Sequence, residues 1–386
     1  MDNKDVLMVA RPDHSLQIYE ALSQQNELSY DFLTFKVLPR WLRFFKLSSK
    51  AYYVGDEVLV SWWWTFVNLC IFKFRFSFAK KWTEKNLMSR RVSKMLNNKK
   101  YKIVYYWPHY CHSAVEAFSA NHPNVICMAD VHLPNPKVAF ESMLPIYKKY
   151  GIDPESTPWY KYANGSFDVL VNAPAIMAPS KYVVDTYKNI LPPKDYYIVG
   201  YGITVSEDYH KQYKKAVKNF VFAGGSITLE KGCDLLCDYF KNHPEFNLHL
   251  YGVSPSDQLF IFDPYKKYPN IIFHGFTPKA ELQKEIRKYD IGIHLSRFDA
   301  YSLSVGEMIG CGLPCVVSKN TGIFSDLVEN GWGVGCDLNM DSINMAVMEI
   351  ANVDNYNCFV DKIDEYIQTK HKPYGVLMTD FLKSFK

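Results

Sequence analysis

A chain of 386 residues is long for one domain and comfortable for two, and 48% hydrophobic with 22% charged residues describes a folded protein, neither fibrous nor disordered. The formal charge of +4 is unevenly placed: residues 36–102 carry sixteen Lys and Arg against Asp56, Glu57 and Glu84, so the remainder is net acidic. Nine cysteines form no C-x-x-C pair and lack histidines at zinc-finger spacing, which reads as buried thiols of a reducing cytoplasm instead of disulfides or metal ligands.

The N-terminal MDNKDVLMVA runs straight into a strand pattern without the basic and apolar regions of a secretory signal, so none is expected. Strands are predicted at 5–10, 28–35, 101–107, 124–129, 175–180 and 195–202, with helices between them. Within this half, LPRWLRFFK (38–46) and VLVSWWWTFVNLCIFKFRFSF (58–78) interleave aromatic with basic residues. The uncharged run 58–72 is shorter than the roughly 20 residues of a membrane span. Tryptophan at the headgroup level and lysine against anionic lipid suit a peripheral attachment to the inner face of the cell membrane. The same run also fits a core strand and helix beside a solvated charged face. A nucleic-acid partner is not expected.

The polar stretch 203–218 breaks the alternation and reads as a linker. Beyond it the alternation is regular: strands at 219–224, 246–252, 270–275, 290–296 and 314–318, helices at 228–242, 278–289, 323–330 and 341–353. Short continuous apolar strands separated by helices predict a parallel sheet covered on both faces, a Rossmann-like α/β arrangement with its ligand beyond the carboxyl ends of the strands. The expected organisation is one such domain over 1–204 and a second over 205–372, with the tail 373–386 as a final helix packing back on the first.

The stretch RFDAYSLSVGEMIGCGLPCVVS (297–318) carries the densest chemistry. Ser304-Val-Gly-Glu307 has the form of a capping box, a purely structural account of the glutamate. That account leaves Asp299 unexplained at the end of a strand, where a helix N-terminus favours phosphate and carboxylates suit sugar hydroxyls. GGSITLEKG (224–232) is a poor P-loop, because its Lys-Gly order is reversed and the hydroxyl is missing, and GWGVG (331–335) lacks the helix and acid of a dinucleotide fingerprint.

Asp299-x7-Glu307 followed by MIGCGLPCVVS and TGIFSDLVENGWG resembles the E-x7-E region of retaining GT-B glycosyltransferases of family 4, with Asp299 where the first glutamate usually stands. FAGGSITLEKGCDLL (222–236), IIFHGFTPKAEL (271–282), IMAPSKYVVDTY (176–187) and YGI (201–203) extend the resemblance over about residues 125–355. It implies a GT-B fold of two Rossmann-like domains facing a cleft. It further implies that Glu307 binds the ribose of a nucleotide-sugar, Asp299 holds hydroxyls of the transferred sugar, and Lys231 neutralises the diphosphate with help from the amides around Ser302, Leu303 and Ser304. His132, in ADVHLPNP, matches a histidine near the donor sugar, with His109 and His112 as rivals.

Two departures stand out. Gly225 and Ser226 occupy the place of a second phosphate-binding cation, an arginine, and RPDHS replaces the early glycine-rich loop, where Arg11 is a candidate substitute. No D-x-D occurs, so no metal is expected. The implied activity is transfer of a hexose-type sugar from a nucleoside-diphosphate sugar to a hydroxyl of a glycan or lipid-linked acceptor, with retention, as in cell-surface polysaccharide or glycolipid assembly. A GT-B epimerase or phosphorylase, or a non-catalytic sugar- or nucleic-acid-binding protein on this fold, are the alternatives.

Overall fold

In a computed structural model, residues 3–10, 12–34, 37–39, 52–54, 59–60, 77–165 and 168–385 are described. Arg11 and most of the basic aromatic region 36–82 lie outside these residues.

The first unit is a seven-stranded, all-parallel sheet in the order β5-β2-β1-β6-β7-β8-β9. Its strands are β1 (Val6–Val9), β2 (Tyr30–Thr34), β5 (Leu59–Val60), β6 (Ile103–Tyr106), β7 (Ile126–Asp130), β8 (Ala175–Ala178) and β9 (Asp195–Ile198). The short strands β3 (Val37–Pro39) and β4 (Tyr52–Val54) pair separately. Both faces of the sheet are covered, which is why β1 reads as an unbroken apolar run: Leu7 and Val9 enter one core and Val6 and Met8 the other.

The second unit is a six-stranded parallel sheet, β12-β11-β10-β13-β14-β15. It comprises β10 (Asn219–Ser226), β11 (Asn247–Val253), β12 (Ile271–Gly275), β13 (Ile291–His294), β14 (Cys315–Ser318) and β15 (Gly333–Cys336). The chain reverses direction of travel across the sheet between β10 and β13, and such a crevice is where an open α/β sheet binds ligands. Residues 333–336, overlapping the glycine-rich GWGVG, form an edge strand, and helix Val353–Thr369 is an element the sequence reading does not place.

Two segments cross between units. Helix Pro136–Tyr150, capped by the Asn135 side chain, sends Ala139, Met143 and Tyr147 into the second unit's core, so contacts depart from a boundary drawn at residue 204. Helix Tyr374–Lys383 returns to the first unit, burying Tyr374, Met378 and Leu382 beside Ile18 and Leu22. The stretch 203–218 contains no helix or strand. It lies on helix Leu303–Gly310, where a Cβ at Gly310 would sit 1.9 Å from the Thr204 carbonyl oxygen. That close approach accounts for a glycine in an otherwise apolar helix.

Candidate active site

A cavity of about 660 Å³ opens at the carboxyl ends of β10 and β13, lined by both units. Its floor is built from close backbone packing. Gly232 adopts φ 67°, and a Cβ there would lie 1.8 Å from the Leu295 carbonyl oxygen, so the loop after β10 can be drawn against the end of β13 only with glycine. The predicted helix 228–242 therefore starts late, at Cys233. Lys231, just before this glycine, places Nζ 2.5 Å from Asp299 Oδ2.

Arg297 locks that loop. Its guanidinium donates to both oxygens of Asp234 at 2.7 and 2.8 Å and to the Leu229 carbonyl, and its backbone N–H donates to the Glu230 carbonyl at 2.9 Å. Both side chains of the Arg297–Asp234 pair are buried. Because these donors are committed, Arg297 does not replace the missing phosphate-binding arginine, and among the described residues Lys231 is the one Lys or Arg lining the cavity.

Asp299 organises the turn that precedes helix Leu303–Gly310. Its Oδ1 accepts from the backbone N–H of Ser302 at 3.1 Å and Tyr301 at 3.4 Å, while Oδ2 meets Lys231 and, at 3.3 Å, Nε2 of His294. Burial opposes its charge, but the Lys231 ammonium and the His294 hydrogen bond outweigh burial and hold the carboxyl well below the usual range. The turn so formed puts Ser302 at φ 69°, the one non-glycine residue with positive φ among those described. Helix Leu303–Gly310 begins there. The backbone N–H groups of Leu303 and Ser304 have no acceptor among the described residues, and an anion suits them.

The N-cap is therefore Ser302, without a side-chain cap bond, and Ser304 lies inside the helix: the capping-box reading of Ser304 and Glu307 is incorrect. Asp299, by binding the amides of residues 301 and 302, takes up the turn instead. Glu307 does not join Lys231 and Asp299 in the cavity lining. It lies one turn beyond Ser304 and pairs with Lys279 Nζ at 2.5 Å. Gly225, Ser226, Ser302, Leu303 and Ser304 do line the cavity, as does His132.

The His132 ring is held from both sides. Nε2 lies 2.6 Å from Asp130 Oδ2, Nδ1 lies 2.5 Å from the Tyr201 hydroxyl, and the ring stacks on Trp107 at 4.8 Å. Asp130 also accepts from the Tyr105 hydroxyl. His109 and His112 sit in helix Pro108–Ser119, outside the lining.

Three functional candidates escape the sequence reading. His294 stacks on Phe222 at 5.3 Å, burial pushes its imidazole pKa down, and its Nδ1 is buried without a hydrogen-bond partner. Its only sequence signal is a histidine inside the apolar strand DIGIHLS. The Arg297–Asp234 lock joins residues 63 apart and leaves no local signal. Trp159, in helix Pro158–Ala163, enters the lining from a segment with no recognisable motif.

Residues 205–357 match the family described as glycosyl transferases group 1. The sequence has no significant match among curated proteins. Solved structures share the fold over the whole chain. The lipopolysaccharide outer core galactosyltransferase WaaB superposes with a TM-score of 0.61 at 12% identity, over 98% of this chain and 99% of that one. Sucrose-phosphate synthase from Thermosynechococcus elongatus gives 0.59 at 13% identity, over 99% of both. Anabaena HepE in complex with UDP and glucose gives 0.56 at 12%, again over 99% of both. The two facing Rossmann-like units are the GT-B fold.

Proposed function

We propose that the protein, whose residues 205–357 match glycosyl transferases group 1, moves a hexose-type sugar from a nucleoside-diphosphate sugar to an acceptor hydroxyl with retention at the anomeric carbon. The observation that carries this reading is the meeting of Lys231, Asp299 and the start of helix Leu303–Gly310 in one cavity at the β10–β13 crevice. A diphosphate seated there gains negative charge as the bond from the anomeric carbon to its oxygen breaks. Lys231 and the amides of Leu303 and Ser304 are fixed positive groups aimed at that charge. Gly225 and Ser226 line the phosphate side. Asp299 accepts hydrogen bonds from hydroxyls of the transferred sugar, and His132 borders the same sugar. Glu307 takes the ribose at the rim, beside Lys279.

In this mechanism the acceptor oxygen bonds to the anomeric carbon as the electron pair of the old bond passes to the diphosphate, and the acceptor proton leaves to a diphosphate oxygen. The chain has no D-x-D carboxylate pair to clamp a metal, so this reading has no divalent cation in the step and turnover should persist in EDTA. That HepE is seen with UDP and glucose supports a sugar nucleotide as donor. The basic aromatic region 36–82, largely outside the described residues, supports an acceptor presented at an anionic membrane, in glycan or glycolipid assembly. Among the described residues no helix is long and apolar enough to cross a membrane. Neutralising Arg40, Arg43, Lys73 and Arg75 should release the protein from anionic vesicles in a flotation assay, and unchanged partitioning refutes the membrane role.

A thermal-shift panel of nucleoside diphosphates and their sugars tests the donor. A ligand at a hundredfold its Kd stabilises the native state by about 2.7 kcal/mol, a rise of several degrees in Tm. The shift should vanish in Lys231→Ala and shrink in Glu307→Ala. No response of the wild type to any nucleotide, or an equal response in Lys231→Ala, overturns the assignment.

A further inference from the structure

The cavity lining is of two chemical kinds. Lys231, Asp299 and the start of helix Leu303–Gly310 form the polar part, already assigned to the donor. Leu133, Pro134, Pro158, Trp159 and Phe298 form an apolar wall. Leu133 is 51% exposed, large aliphatic surface left wet in a crevice. Trp159 is set by neighbouring rings: Phe298 meets it edge to face, with centroids 4.5 Å apart and planes at 78°, and Tyr162 lies 5.7 Å away. Helix Pro158–Ala163 is itself fixed at its start by Thr157, whose hydroxyl accepts from the Tyr160 N–H. This wall is apolar yet not purely so. Glu230 lines the same cavity, and the Tyr147 hydroxyl donates to its Oε1 at 3.3 Å, while Thr228 adds a further hydroxyl.

A hydrocarbon chain lying on this wall would strip water from Glu230 and those hydroxyls without replacing its hydrogen bonds, an unfavourable exchange. A pyranose ring matches both features. Its C–H face covers an indole, and its edge hydroxyls donate to a carboxylate. We propose that Trp159 and Glu230 form a subsite for the ring of a second sugar, so that the acceptor is a glycoside whose reacting hydroxyl is brought to the donor from the Trp159 wall. This deepens the donor assignment above and rests on it.

Saturation-transfer NMR on the full chain reads the subsite directly. The probes are the methyl glycosides of glucose, galactose, mannose and N-acetylglucosamine, with 1-hexanol as the aliphatic comparison, each with and without the nucleoside diphosphate that raises the melting temperature. At least one glycoside should give saturation transfer with the wild type. Loss of the aromatic contact in Trp159→Ala should weaken its binding about fivefold to tenfold, while nucleotide binding is kept. Trp159→Phe should retain part of the affinity and Glu230→Gln should lose part of it, and these two carry the test if Trp159→Ala does not fold. Equal glycoside binding in wild type and the Trp159 variants, transfer to hexanol alone, or no glycoside signal while nucleotide binds, each overturns the subsite. Failure of every nucleotide to bind instead overturns the donor assignment, a separate outcome.

Discussion

Asp299 carries two duties through its two oxygens. Oδ1 fixes the left-handed turn at Ser302, and Oδ2 receives Lys231. Removing the ammonium therefore leaves a mostly buried carboxylate without its cation. Lys231→Met should destabilise the fold by about 1–3 kcal/mol at neutral pH, less than a fully buried pair because Lys231 is one-third exposed. Adding Asp299→Asn should recover most of that loss, since the amide oxygen still accepts from Ser302. Urea unfolding of both single variants and the double variant measures the coupling, and strict additivity contradicts it. The sign of the pH dependence follows from the depressed carboxyl. Its stabilisation is complete above the unfolded pKa of about 3.8 and is lost as the solution is acidified below it.

At the scale of elements, the site depends on where strands end and helices begin. Gly232→Ala combines a left-handed backbone with a Cβ driven into the Leu295 carbonyl, and should cost at least about 2–3 kcal/mol by denaturant unfolding, with nucleotide binding lost. An alanine variant of wild-type stability would refute this account of the loop. Away from the site, β11 and β12 juxtapose two histidines, with His249 Nδ1 and His274 Nε2 2.9 Å apart. Burial, then the neighbouring His274, lowers the His249 pKa to about 4 from 6.5. The unfolded chain thus binds the proton first, so stability should fall as pH drops from 6.5 to about 4 and the penalty should be complete below that. Melting curves of His249→Gln should lack that part of the decline. The strands and most helices were legible because each is a short apolar run or an amphipathic turn set. Residues 333–336 were not, because an edge strand of glycines has no side-chain pattern to read. Helix Val353–Thr369 is not among the predicted elements, although Tyr356, Val360 and Ile363 mark its buried face at helical spacing.

The whole molecule is two parallel sheets stitched across their cleft by helix Pro136–Tyr150 in one direction and helix Tyr374–Lys383 in the other. Lys231 and Asp299 were singled out through the resemblance of their segments to a known family, and their side chains meet in the folded chain. Their partners were not: His294, Arg297, Asp234 and Trp159 act through contacts between distant segments, and no local spacing encodes those. Glu307 shows the converse, a motif position whose side chain pairs with Lys279 outside the cavity lining. The central claim concerns where a diphosphate sits, and the most direct measurement is a crystal structure with the nucleoside diphosphate that raises the melting temperature. The account predicts phosphate oxygens bonded to Lys231 Nζ and to the backbone N–H groups of Leu303 and Ser304. Density for the nucleotide elsewhere, with Lys231 still closed on Asp299, would contradict it.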